Sequence, residues 1–462
     1  MSRSTAGRRV SLARAPKVSL LTVLSVVIPL ATVGALALVR PPTPQEDVRP
    51  ATLVPLHSSV VVCPSLLPGA GTVGVANADS VSGEVEAVTE GSSTPVELNP
   101  AGRVGTRSAV VVRAADDLAA GLVATRYGRR ESGVCQRPQP QRWFTGLGAG
   151  PEHSSVLELV NPDTGPAVVD ITLHSPTGPV DAPRLRGVTV PGDSSTTVDL
   201  AAIVPTEDEL AALVTVTRGR MGVFAADSVQ RLGAKSGAQD WLSPQGEPAT
   251  RVRMLGLGTR GGERTLVVAN PTQDEAVVEL KLIGEGSEFA PAGVEELRVP
   301  PASVRPVDLT SLLAKKSSRG ARGVSLTSTV PITATVRSLV DGDLAHATGA
   351  QALDDRSALV VADTAKDLLI VSGEDDAQVR LRVIDARGDE VLNEEMSLTA
   401  GTLQRVTLPR AGVVVDVSVA SGEAYAAVET TQTDRGRIVW PMSPLQVQAL
   451  VPDVRPAHSS SR

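Results

Sequence analysis

Leu266-Val-Val-Ala269-Asn270-Pro271, followed by Val277-Val-Glu-Leu-Lys-Leu282, has a counterpart upstream in Val156-Leu-Glu-Leu-Val160-Asn161-Pro162, followed by Val168-Val-Asp-Ile-Thr-Leu173. Each reads as a β-strand, an Asn-Pro turn and a second strand in which apolar and polar residues largely alternate. Asn161 and Asn270 lie 109 residues apart, and the same offset separates Val190-Pro191 from Val299-Pro300 and Val198-Asp199-Leu200 from Val307-Asp308-Leu309. Three landmarks at one spacing mark a duplicated β unit. Degenerate versions flank it: Thr72-Val-Gly-Val-Ala76-Asn77-Ala78 keeps the asparagine, and Leu368-Leu-Ile-Val371-Ser372-Gly373 keeps neither residue. Asn-Pro at these places reads as turn chemistry, because proline fixes φ and asparagine bonds its own backbone two residues on.

The expected fold is therefore all-β. An N-terminal transmembrane helix precedes four tandem β-sandwich modules of the immunoglobulin or fibronectin III kind, each with about seven strands. The modules are placed at 51–138, 142–245, 251–355 and 358–444, after a basic tail at 1–17, the membrane segment at 18–39 and a proline-rich spacer at 40–50. Residues 445–462 read as a disordered tail. A ring closed like a propeller is the alternative. Propeller blades take about 40–50 residues, fewer than these units hold, which favours separate sandwiches with protease-sensitive links near 138, 245 and 355.

Residues 1–17 carry five basic side chains and no acid, so the rest of a chain with net charge −7 is strongly acidic. An acidic body has no broad electrostatic basis for holding nucleic acid. Residues 18–39 are uncharged and long enough, at about 1.5 Å per residue, to cross a hydrocarbon core of ~30 Å. Positives on the N-terminal side place the tail in the cytoplasm and the body outside. The protein is expected to be a single-pass plasma-membrane protein, or a secreted one if the segment is a signal peptide cleaved after Ala37. Cys63 and Cys135 are the two cysteines, and in an exported protein they form one disulfide within the first module.

Signatures of chemistry are weak. Gly256, Gly258 and Gly261 spell GxGxxG, but the next element reads as a strand instead of the helix a dinucleotide turn requires, so the glycines mark a turn between elements. His57, His153, His174, His346 and His458 show no metal-ligand spacing, and there is no GxSxG elbow. Glu374-Asp375-Asp376 and Asp341-Gly-Asp343 read as solvated turn charge. No cofactor and no catalytic residue is assigned. Trp143, Trp241 and Trp440 sit at module edges, where packing at module junctions is the first reading and exposed docking the second.

The basic tail and anchor over 3–39, the Asn-Pro hairpins at 161 and 270, the Val-Asp-Leu strand ends at 200 and 309, and the Trp440 segment resemble an uncharacterised family of exported or single-pass actinobacterial proteins. The resemblance implies a cell-envelope location and transfers no reaction. The expected function is a non-enzymatic scaffold or interaction surface anchored in the membrane through residues 18–39. Its partner would be an envelope protein or a wall polymer, the latter held by arginines such as Arg380 and Arg382. An accessory subunit of an envelope glycosyltransferase or export system is the further alternative.

Overall fold

The computed structural model describes residues 19–38, 52–65, 67, 71–128, 130–231, 233, 237–353, 355–430 and 436–451. The expected basic tail at 1–17, the spacer at 40–50 and the end of the tail beyond Val451 lie outside the described residues. The chain is all-β, with many antiparallel sheets. Two compact units are distinguished, one of them Leu53–Ala449 and the other comprising Met1–Thr52 and Leu450–Arg462. In the latter, Leu20–Leu38 forms a 19-residue α-helix whose described apolar side chains are exposed. Described side chains are interrupted at positions 22 and 37, and among the described residues no helix is long and apolar enough to cross a membrane.

In Leu53–Ala449 one strand order recurs four times, most simply in the first and fourth copies. In the first, Ser58–Cys63, Val110–Ala115, Gly83–Thr89 and Ser92–Leu98 form one sheet, and Ala101–Val104, Thr72–Asn77, Leu122–Tyr127 and Ser132–Val134 form the other. The second copy follows the same order with the edge strand broken into Gly178–Val180 and Val188–Val190. In the third, the sixth and seventh strands run on as one 20-residue strand, Ala321–Val340, which links the two sheets. Each pair of sheets encloses one apolar cluster. Eight strands per copy replace the expected seven, because Ser132–Val134 and Val439–Pro441 are too short for alternation to register.

The second strand of every copy is buried on both faces. Leu266 and Val268 enter the core of the third pair, whereas Val267 and Ala269 turn outward against Ala211 of the second. In the fourth, Leu368 and Ile370 point inward, and Leu369 and Val371 meet Leu255 and Ile283 of the third. Val160 and Phe224 of the second pair likewise meet Val62 and Val111 of the first. Ala76 and Val123 of the first pair meet Val360, Ile384 and Val414 of the fourth, which closes the cycle.

The sandwiches are thus not separate: eight sheets stack face to face in a closed cycle, as blades do in a propeller. Copy length does not oppose closure, because one copy is not one blade. Each copy supplies two. The last strands of the copies, Ser132–Val134, Ala238–Leu242, Asp343–Thr348 and Val439–Pro441, touch one another around the middle of the cycle.

The tail also departs from expectation. Gln448–Val451 is a strand, and within Leu53–Ala449 the Leu56 amide donates to the Val447 carbonyl at 3.1 Å. Runs such as Val447-Gln-Ala-Leu-Val451 have the strand propensity that an open edge recruits.

Candidate functional site

Polar side chains gather where the sheet pairs meet. Asp227, on Gly222–Val229, is fully buried between the second and third pairs. Its Oδ1 accepts from Ser155 Oγ at 2.6 Å and from His153 Nε2 at 2.9 Å, and its Oδ2 faces His346 Nε2 at 2.9 Å. His153 Nδ1 donates in turn to the Asp208 carbonyl at 2.9 Å. Burial alone would raise the Asp227 carboxyl, but the charge and hydrogen bonds of His153 and His346 hold it well below the usual carboxylate range. Burial pulls the His153 imidazole down, and Asp227 outweighs that to set it above its ordinary value. Arg337 closes the cluster with a two-pronged ion pair to Glu209, at 3.0 and 2.5 Å.

Serine, histidine and aspartate are together here, yet in the wrong order for nucleophilic catalysis. Ser155 bonds the carboxylate directly, and the histidine contacts that same oxygen, so no imidazole is hydrogen-bonded to the hydroxyl. The cluster is a joint. No spacing announces it, since the partners of Asp227 lie 72 to 119 residues away in two different copies.

The junction of the first and fourth pairs uses arginine. Arg356 grips Asp416 through Nε at 3.0 Å and Nη2 at 2.8 Å and reaches Asp79 at 2.6 Å. Arg382 binds Asp416 Oδ2 at 2.5 Å and the Ala78 carbonyl at 3.4 Å, so it lies in a seam and not in a groove for wall polymer. Arg380, its expected companion, is tied to Asn393 at 2.8 Å.

Around the middle of the cycle, Ser132 N–H donates to Asp240 Oδ1 at 3.0 Å, the Trp241 amide donates to the same oxygen at 2.8 Å, and Trp440 Nε1–H donates to Ser132 Oγ. Burial pushes the Asp240 carboxyl well above its ordinary value despite those amides. All three tryptophans are buried. Trp241 packs edge-on to Phe224 in the apolar joint with the first pair, and Trp143 stacks on His174, which hydrogen-bonds the Ala302 carbonyl of the third pair at 3.0 Å. Trp440 fills the fourth core while bonding the first pair. Cys63 and Cys135 form a disulfide in the first pair. Among the described residues, no group of three or more His, Cys, Asp or Glu is placed to hold a metal ion.

The glycines of the GxGxxG stretch line the joint of the third and fourth pairs. A Cβ on Gly256 would sit 2.7 Å from Val439, and one on Gly258 would sit 2.7 Å from Arg437 Nη1, whereas Gly261 faces open space. Gly256 and Gly258 also have φ of +98° and +65°, in the region that favours glycine. They permit close approach between sheets, not a pyrophosphate.

A family comparison matches residues 89–409, more than two thirds of the chain. The chain belongs to DUF5719, a family of unknown function. The matched DUF5719 span contains the whole of the second and third sheet pairs and parts of the other two. No curated protein matches the chain.

Proposed function

We propose that this DUF5719 protein is a non-enzymatic scaffold or interaction protein of the actinobacterial cell envelope. It is tethered to the plasma membrane through residues 18–39, with the N-terminus cytoplasmic and the sheets outside. The four copies act as immunoglobulin-like sandwiches locked together to present one rigid surface to an envelope partner. The observation that carries this reading is that the buried polar groups pair with one another within and across the joints instead of converging as nucleophile, base and oxyanion donors. The uncharged run at 18–39, the exposed apolar side chains of Leu20–Leu38 and a disulfide suited to an oxidising compartment support the location.

The test has two arms. An antibody raised against the body should label intact spheroplasts, and one raised against the tail should label only lysed ones; a body labelled only after the membrane is lysed would overturn the topology. Crosslinking in intact cells, followed by purification of the full chain, should recover a defined envelope partner. That recovery should persist when Ser155 is replaced by alanine in a protein that still folds. Turnover of any substrate that disappears in Ser155→Ala would refute the non-enzymatic reading.

A further inference from the structure

The joint between the third and fourth pairs differs in charge from the others. Its cavity of about 310 Å³ is lined, among the described residues, by six arginines and four carboxylate side chains, and Glu285 outside the lining pairs with Arg405 Nε at 3.2 Å, which leaves one positive charge in surplus with every group ionised. The joint of the second and third pairs sets Arg337 on Glu209 and that of the first and fourth sets Arg356 and Arg382 on Asp416, all at hydrogen-bond distance, while between the first and second Arg113 donates to the Pro162 carbonyl. Here Arg264 and Arg437 meet at a neutral acceptor, the Leu257 carbonyl, at 3.1 Å from Arg264 Nη2 and 2.7 Å from Arg437 Nη1, and the other acceptors of Arg264 are the Glu263 and Arg260 carbonyls. The carboxylate facing the Arg437 guanidinium is Glu429, whose Oε2 lies 3.6 Å from Nε, beyond a hydrogen bond. Arg322 stands 3.9 Å from Glu429 Oε1. Arg437 Nε and Nη2, Arg322 Nε and Glu429 Oε2 all lack a hydrogen-bond partner.

Burying guanidinium groups side by side without matched anions is costly, and two glycines are needed to bring them there. Gly258 gives Arg437 Nη1 its room, and at Gly436, with φ +74°, a Cβ would sit against Asp343 Oδ1. The exposed pair Arg260–Asp341, at 2.9 Å, forms the rim. We infer that this cavity is a binding site for a phosphoryl dianion, with Arg264, Arg322, Arg405 and Arg437 as its donors. A tetrahedral phosphoryl group matches donors arriving from four separate segments, which a planar carboxylate would not. The lining acids do not oppose it strongly. Asp367 is held by Arg405 at 3.2 Å, and Asp343 accepts the Arg437 backbone N–H at 2.6 Å. Burial raises the Glu429 carboxyl despite Arg437 and Arg322 beside it.

This site stands independently of where the chain resides. Isothermal titration of the full chain in detergent with inorganic phosphate, at constant ionic strength, should show one saturable site. Arg437→Gln and Arg264→Gln should each weaken it by roughly tenfold or more. Arg405→Gln, at a half-exposed position that puts folding at less risk, should weaken it in the same direction. Glycerol phosphate in a parallel titration separates the sources: tighter binding identifies an esterified phosphate such as a polymer or headgroup carries, and equal or weaker binding identifies the free anion. Absence of saturable binding by folded protein, affinity unchanged in Arg405→Gln and Arg437→Gln, or succinate binding as tightly as phosphate would overturn the assignment.

Discussion

Asn161 and Asn270 recur because each closes its turn in the same way. Asn161 Nδ2 donates to the carbonyls of Gly165, Val190 and Pro191, and its Oδ1 accepts the Asp163 amide at 3.0 Å. Asn270 repeats the set with Asp274, Val299, Pro300 and Thr272. The Val-Pro landmark is therefore the far side of the same knot, and its fixed distance from the asparagine was readable because local bonding dictates it. Asn270→Ala leaves buried carbonyls without donors and should cost about 1–3 kcal/mol, seen as a lower urea midpoint with an unchanged slope. Asp227 was not readable, since neither its neighbours nor its spacing distinguish it from other strand acids. Its role appears only once sheets from two copies meet.

That joint also sets a pH dependence. His153 has a folded-state pKa above its ordinary value, so its contribution is fully present below about 6.5 and lost as the pH rises through the raised value. Asp227 is lowered, so its contribution is present above about 3.8 and lost as the pH falls through the lowered value. The joint should be strongest in the window between, with the Arg337–Glu209 pair and His346 facing the same carboxylate cluster throughout. Urea midpoints across pH 4–8 should show His153→Gln destabilised most near pH 5, with the gap to the wild-type protein narrowing toward pH 8. A gap independent of pH would refute this origin.

At the scale of elements, the copies share a frame and differ at chosen points. Matching ladders place Ser155, Arg264 and Lys366 at equivalent positions, since their following residues pair with Asp199, Asp308 and Thr407. Ser155 bonds Asp227, Arg264 faces the arginine-rich cavity, and Lys366 donates to the carbonyls of Ala362, Thr364 and Arg410, its amine pushed down to about 8 by burial. Polar variation inside a conserved strand order is where function has room to reside. The strands themselves were legible, and so was a clue to their packing. Runs such as Leu266-Val-Val-Ala269 and Leu368-Leu-Ile-Val371 are too apolar for a strand with one wet face.

The GxGxxG stretch gives a paired test at this scale. Gly258→Ala meets Arg437 and a positive φ, and should lower stability by about 1–3 kcal/mol, while Gly261→Ala, facing open space, should be near neutral in the same denaturant titration. Equal effects would show that the close approach is not what the glycine serves. The tryptophans extend the argument: with all three rings buried, iodide should quench native fluorescence weakly and quench it strongly only in denaturant.

For Leu53–Ala449 as a whole, closure replaces the expectation of separable modules. The linking segments are themselves held, as at Arg137, whose Nη1 donates to Ser59 Oγ at 2.6 Å. Limited proteolysis should therefore leave the links near 138, 245 and 355 uncut under native conditions, and urea should unfold the body in one transition. Discrete fragments of one or two copies would contradict the closed cycle. Closure escaped the sequence because it depends on which outer faces match, and alternation reports only that a face is apolar, not whose face covers it.

The seam between the first and fourth pairs joins residues 277 to 304 positions apart, Asp79 with Arg356 and Ala78 with Arg382. A ribosome delivers the first pair long before the fourth. Ala76 and Val123 must then wait uncovered, with the Ala78 carbonyl and Asp79 still lacking their guanidinium partners, until the last strands emerge. Completion is thus reserved for the whole polypeptide: a nascent or prematurely terminated chain exposes an apolar flank that a holdase or a quality-control protease can recognise.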